Sequence, residues 1–171
     1  MFDGDQGLLY YNASKMYLFG QSMQLKKYTD YGLRILMYLA SFEADKNCTE
    51  PKLATIREIC DTFGLSANHV NKVVHHLGRL ELIETRRGKN GGFLLAKKPE
   101  DISLAFVIRQ LEGDEKWIEC ENPYCVALPA CELKAIVARG KDLFYDYLSQ
   151  YSLKSLMVKA PQLRQIFSTA S

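Results

Sequence analysis

The chain is short of several things, and each shortage removes a class of function. No apolar run in its 171 residues reaches the roughly 18 that a membrane span needs. The first 22 residues lack the basic start and long apolar centre of a secretory leader. No Cys-x-x-Cys pair occurs, which argues against a thiol redox catalyst. No Gly-Lys-Ser/Thr follows any glycine-rich stretch, so a nucleotide-binding phosphate loop is not expected. The three histidines all fall in one short segment, and no paired carboxylates or Ser/His/Asp arrangement stand out. The chain therefore does not read as an enzyme. Charge of neither sign dominates, since the net charge is only +2.

What is present is an ordinary soluble composition, 47% apolar and 25% charged, at a length that suits one domain with an accessory arm. The basic charge is unevenly placed. Between Thr55 and Lys98 there are eight Lys/Arg against four Asp/Glu, and the remainder is slightly acidic. A basic block in a balanced chain is a candidate DNA-facing surface.

Three of the five cysteines, Cys120, Cys125 and Cys131, lie within twelve residues. Pro123 and Pro129 stiffen the loop between them and deny it a helix. Clustered thiolates on a short loop make a soft-metal site. Three thiolates are one short of a full set, so the fourth ligand would be weaker, which suits a sensor better than a staple. An odd cysteine count without an export signal points to a reducing compartment, so a cytoplasmic protein is expected. In that setting the sequon Asn12-Ala13-Ser14 has no consequence.

Residues 1–22 mix glycine, asparagine and scattered tyrosines without a period, and read as an upstream or appended extension that is disordered or loosely packed. Patterned sequence begins at Met23. Thr29 to Ser41 reads as a helix with Thr29 at its N-cap and Asp30 in its first turn. A loop carrying Cys48 follows, up to Pro51. Thr55 to Phe63 is a second helix. Gly64-Leu65-Ser66 makes a short turn, and Ser66 caps a third helix running to about Leu80. Helix, three-residue glycine turn, helix is the helix-turn-helix pattern. Val70, Val73, Val74 and Leu77 form the buried stripe of the third helix. Ser66, Asn68, His69 and Lys72 then lie on its outer face, where they can reach phosphates and base edges.

Two strands follow, Leu82 to Arg86 and Phe93 to Ala96, joined by Arg87-Gly88-Lys89-Asn90-Gly91-Gly92. This is the wing of a winged helix, with Arg86, Arg87, Lys89 and Asn90 at its tip as candidate DNA contacts. Ser103 starts a helix over Leu104 to Leu111. Pro129 to Tyr151 is the longest helical pattern, with Leu133, Ile136, Val137, Gly140, Leu143, Phe144, Tyr147, Leu148 and Tyr151 as its apolar stripe. Such a helix packs on a copy of itself, with Gly140 allowing close approach. Ser152 to Lys159 is read as a short last helix, and Pro161 to Ser171 as a frayed tail. The expected fold class is mainly α with a small β wing: a winged helix-turn-helix over residues 23–100, then a cysteine loop and a long dimerisation helix over 101–171.

Three pieces carry a family likeness: Met23-Gln-Leu-Lys-Lys-Tyr-Thr-Asp-Tyr-Gly-Leu-Arg34, the wing Arg87-Gly-Lys-Asn-Gly-Gly92, and the Cys-x4-Cys-x5-Cys loop. Together they resemble the Rrf-type winged-helix regulators, and within these the nitric-oxide-sensitive repressors. The resemblance covers Met23 to about Val158. It implies a homodimer on a palindromic double-stranded operator that controls nitrosative-stress genes. It implies an iron–sulfur cluster, [2Fe–2S] or [4Fe–4S], held by Cys120, Cys125 and Cys131, with Asp30 of the partner subunit as fourth ligand and nitric oxide as the signal. It also places Ser66, His69, Lys72 and the wing arginine on DNA. Relatives that sense cluster or redox status use a histidine three residues after the third cysteine; here that position is Lys134. Sensing of cluster status, and a winged-helix repressor with structural zinc, are the alternative readings. Cys60 lies on an apolar helix face and reads as a core residue.

Overall fold

A computed structural model describes residues 24–43 and 52–170. The expectations for residues 1–22, Met23, the sequon and Cys48 lie outside the described residues.

The first helix, α1 (Lys27–Glu43), is the spine of the core. Its residues Ile35, Leu36, Tyr38, Leu39 and Ala40 are at most 5% exposed. It starts a turn-half earlier than its sequence suggests, because the Lys26 carbonyl accepts from Thr29 N at 2.9 Å and Asp30 N at 3.1 Å. Thr29 is therefore not the N-cap. It is fully buried, and its hydroxyl has no partner. Asp30 does sit in the first turn. Gly32 marks where α1 meets a later helix: a Cβ there would run into the end of the Leu111 side chain, which would have to shift.

Helix α2 (Ile56–Phe63) is opened by a capping box between Thr55 and Glu58 and closed by Gly64 in the left-handed region at φ 64°. Helix α3 (Ala67–Arg79) buries Val70, Val73, Val74 and Leu77 as expected. The strands β1 (Ile83–Arg86) and β2 (Gly92–Leu95) pair antiparallel, Ile83 opposite Leu95 and Arg86 opposite Gly92. Ala54 adds a bridge to Phe93, with backbone bonds of 2.8 and 2.9 Å, and so ties the wing to the start of α2.

Helix α4 (Leu104–Glu112), capped by the Ser103 hydroxyl, leads to the cysteine loop. Helix α5 (Leu133–Ser149) then runs unbroken through Gly140. It starts later than Pro129: residues Leu128–Ala130 form a 3-10 turn and Cys131 is extended, which lifts the chain out of helical geometry. The α5 stripe divides in two. Val137, Phe144 and Leu148 are half-buried on the chain's own side, and Tyr145 (3% exposed) packs against α4 with the Arg109 guanidinium 4.3 Å from its ring centre. Leu133, Ile136, Leu143 and Tyr147 are 52–65% exposed.

The segment expected to fray is a helix. After a 3-10 stretch at Leu153–Lys159 comes α6 (Ala160–Thr169). Pro161 near its start loses nothing, because the first N–H groups of a helix have no intrahelical partner. Phe167 (5% exposed) inserts between Tyr38 and Phe63, with ring centres 5.4 and 5.3 Å away. Ile102, Val107, Leu111, Leu153 and Phe167 share one core with Ile35, Val70 and Phe93. No helix among the described residues is long and apolar enough to cross a membrane.

Candidate nucleic-acid interface and cysteine loop

The outer face of α3 is built by subtraction. Its valines and Leu77 turn inward, so Ser66, Asn68, His69 and Lys72 are left exposed. Ser66 occupies the N-cap position but makes no side-chain cap. Its hydroxyl instead lies 2.9 Å from His69 Nδ1, holding that imidazole toward the start of the helix. At the wing, Arg86, Arg87, Lys89 and Asn90 are all exposed. Arg86 is steadied by Glu84 at 3.3 Å. The basic block of the sequence is thus displayed on two adjoining elements, a helix and a hairpin tip, which is the arrangement that fits a major groove and its flanking phosphates.

The start of α1 meets the flank of this surface. The Tyr28 hydroxyl donates to the Lys72 carbonyl at 3.1 Å and lies 3.1 Å from His76 Nδ1. Burial pushes the Tyr28 phenol up, with Arg79 pulling the other way, so the group remains a donor. The Tyr31 ring sits 6.2 Å from that of His69. Lys26 holds Glu112 through its backbone N–H, bonds the Glu112 carbonyl through Nζ, and approaches Glu115 at 3.8 Å. Nothing in the sequence distinguished Tyr28 and Lys26 from a generic aromatic and a generic surface cation, since their partners are more than forty residues away.

The cysteine loop is braced by charge. Glu121 accepts from Lys134 at 2.8 Å and from Lys116 at 2.9 Å. These two ammonium groups hold its carboxyl down to about 2. Glu119 is lowered chiefly by the backbone N–H of Glu121, which it accepts at 2.8 Å. Lys134 is thus committed to a carboxylate, consistent with its failure to offer a ligand. Trp117 stands 5.9 Å from Phe144, and Lys141 ties Asp114 and the Glu115 carbonyl to α5 at 2.8 and 2.9 Å. A backbone bond of 2.9 Å from Cys125 N to Cys120 O closes the first cysteine turn.

Cys120 and Cys131 are half-buried, Cys125 is exposed, and all three are free thiols. Soft donors on one short loop fit an iron–sulfur cluster in kind. They are not preassembled: among the described residues no three His, Cys, Asp or Glu side chains converge on a point that could hold a metal ion. Asp30 is engaged within its own helix, with Arg34 NH2 2.8 Å from Oδ2 and Nε 3.0 Å from Oδ1. Cys60 is half-buried in the core, and burial, with the Asp61 charge second, raises its thiol. It is therefore a poor thiolate donor.

A helix-turn-helix with a basic wing, built on a mostly helical body, defines a winged-helix DNA-binding regulator. Residues 25–159 match the Rrf2 family, described as iron-dependent transcriptional regulators, and the chain belongs to that family. It is a transcriptional regulator and not an enzyme. It is 40% identical over 149 residues to the HTH-type transcriptional regulator NsrR of Shouchella clausii, covering 84% of this chain and 95% of that one. Identity to the Bacillus subtilis NsrR is 36% over 138 residues, with 79% and 90% covered. Among solved structures, Staphylococcus aureus CymR is 26% identical with a TM-score of 0.61, covering 78% and 97%. T. potens IscR, at 22% identity and a TM-score of 0.62 over 81% and 89%, shares the fold.

Proposed function

We propose that the chain is a homodimeric repressor that senses nitric oxide through an iron–sulfur cluster and releases the promoters of nitrosative-stress genes. The observation that supports this most is the pairing of three free thiols on one braced, exposed loop with similarity to regulators named NsrR over most of the chain. When bound, the cluster supplies iron that nitric oxide attacks.

Cys120, Cys125 and Cys131 would hold it, with Asp30 of the partner subunit as fourth ligand. A carboxylate is a harder and more exchangeable donor than thiolate. To serve, Asp30 must trade part of its Arg34 contact, and that guanidinium stays within reach to recapture it. Release of Asp30 therefore has a ready alternative partner, which lowers the cost of losing the ligand. Exposed Leu133, Ile136, Leu143 and Tyr147 recur along α5 at steps of three, seven and four residues, the spacing of a helix-on-helix seam. A two-fold axis there would present two α3 helices and two wings to a palindromic operator, about one helical turn apart. Ser66, Asn68, His69, Lys72, Arg86, Arg87, Lys89 and Asn90 would make the DNA contacts. A 100-fold loss of affinity on signalling needs only about 2.7 kcal/mol of coupling.

The test is anaerobic isolation with iron, sulfide and visible absorption measured together, followed by nitric oxide titration against DNA binding. A coloured, iron- and sulfide-containing protein that leaves DNA on titration is expected, and Cys120→Ser, Cys125→Ser and Cys131→Ser each remove the response while the winged helix stays folded. A colourless protein containing zinc, or a response that survives in the serine variants, refutes the reading.

A further inference from the structure

We propose that the Tyr28 hydroxyl is the positioning group through which the first turn of α1 sets the recognition helix, α3, on DNA; the role rests on the DNA-binding reading of α3 and not on the cluster.

The hydrogen-bond count fixes the arrangement. A phenol has one hydrogen. The Lys72 carbonyl can only accept, so Tyr28 donates there, at 3.1 Å. The 3.1 Å contact with His76 Nδ1 must then run the other way, with His76 donating from Nδ1 to the phenol oxygen. Tyr28 is thus a two-point clasp, one bond to a backbone carbonyl and one to a side chain a turn later. The rings of Tyr28 and His76 also touch, with centres 5.8 Å apart.

The clasp grips α3 on the flank of its exposed polar face, because His76 lies one turn from Lys72 on the same side of the helix. Lys72 shows why this matters. Its carbonyl is held by Tyr28, while its side chain is exposed on the outer face. Rotation of α3 about its axis would stretch both bonds at once, and it would swing Ser66, Asn68, His69 and Lys72 together. A backbone acceptor makes the clasp sensitive to the position of the helix itself and not only to a rotamer. Tyr31, three residues further along α1, touches the His69 ring, so the same turn meets α3 at a second point. Asp30 lies between these two tyrosines, paired with Arg34. The two bonds of the clasp are solvent-adjacent and individually weak. Their effect is on which rotation of α3 is populated, so sequence-selective binding should suffer more than charge-driven binding.

The experiment uses the full chain, cluster-loaded and kept anaerobic. An operator duplex is first recovered with the wild-type protein from a random duplex pool. Fluorescence anisotropy then measures affinity for that duplex and for a scrambled duplex of equal length and salt. Tyr28→Phe, which keeps the ring, is expected to bind the operator about tenfold more weakly, the effect of one or two lost hydrogen bonds. Scrambled-duplex affinity should stay within about twofold, since phosphate contacts dominate it. His76→Asn, which keeps a donor near the Nδ1 position, should resemble wild type. His76→Leu should resemble Tyr28→Phe, and the double variant should be no worse than either alone. Operator binding by Tyr28→Phe within about twofold of wild type, or equal losses on both duplexes, overturns the proposal. If the wild-type protein holds no cluster or ignores nitric oxide, the sensing function fails, while the operator-to-scrambled ratio of Tyr28→Phe still decides the role of Tyr28.

Discussion

Replacing Ile136 with glutamate should take the regulator apart without unfolding it. Ile136 is 65% exposed in the single chain, so the substitution breaks no intrachain core contact. Covering the exposed part, roughly 110 Å², at about 25 cal/mol per Å² stabilises a seam by about 3 kcal/mol for each copy. A symmetric dimer contains the residue twice. Some of this is recovered if the glutamate reaches solvent at the rim, which leaves a loss of about 4 kcal/mol, or roughly a 1000-fold weaker dimer. Sedimentation velocity across a protein dilution series reads this directly. Wild type should remain dimeric at micromolar concentration and Ile136→Glu should be monomeric there, with an unchanged helical circular dichroism spectrum. Ile166, 58% exposed on α6, is the control, and Ile166→Glu should leave the dimer intact. Identical sedimentation of wild type and Ile136→Glu, or dissociation caused by the Ile166 substitution, would refute the assignment of the α5 stripe as the interface.

Two further outcomes follow from the packing and charge around the body. Phe167→Ala removes a side chain that is 5% exposed and wedged against Tyr38 and Phe63, so a stability loss of about 3 kcal/mol is expected, at the low end for phenylalanine because α6 is terminal. Thermal melting should show a midpoint lower by about 10 °C; a shift below about 2 °C would mean that α6 does not seal the core. Asp114 is lowered mainly by its hydrogen bond to Lys141. A carboxyl depressed on folding contributes stability above its unfolded value, near 3.9, and that contribution disappears as pH falls through the lower folded value. The fluorescence of Trp117 in the cluster-free protein should therefore change only below about pH 4, and the change should be absent in Asp114→Asn. Persistence of the same transition in that variant would show that Asp114 does not hold the loop start.

The winged helix was legible because each of its signals is local. The Thr55–Glu58 capping box, the left-handed Gly64, the buried valines of α3 and the glycine-rich hairpin tip all act within a few residues. The exposure of Ser66, Asn68, His69 and Lys72 followed from the same periodicity. What the sequence hid depends on distant partners. Thr29 looks like a cap by type, but the Lys26 carbonyl already serves the early N–H groups and the helix begins before it. The C-terminal segment reads as a frayed tail, because the surface that Phe167 fills is made by α1 and α2 and not by its own neighbours. The α5 stripe reads as one face that leaves out Tyr145, and only the packing of Tyr145 on Ala105 and Ile108 of α4 shows which side is inward. The clasp of Tyr28, the hold of Lys26 and the brace of Glu121 pair residues far apart in the chain or across a loop, and residue type alone does not announce them.

The beginning of α1 has a mechanical consequence. Lys26 grips the segment that leads into the cysteine loop, Tyr28 grips α3, and Asp30 lies one position beyond Thr29 on the same turn. At 1.5 Å per residue these points span only about 6 Å of axis. A single helical turn is stiff, so the attachments of Lys26 and Tyr28 cannot move independently, and Asp30 is carried with them. A displacement of about 1 Å at one end reaches the others almost undiminished, and it already exceeds the slack of a good hydrogen bond. The segment that leads into the cysteine loop and the DNA-reading helix α3 are in this sense opposite jaws on one short rigid bar.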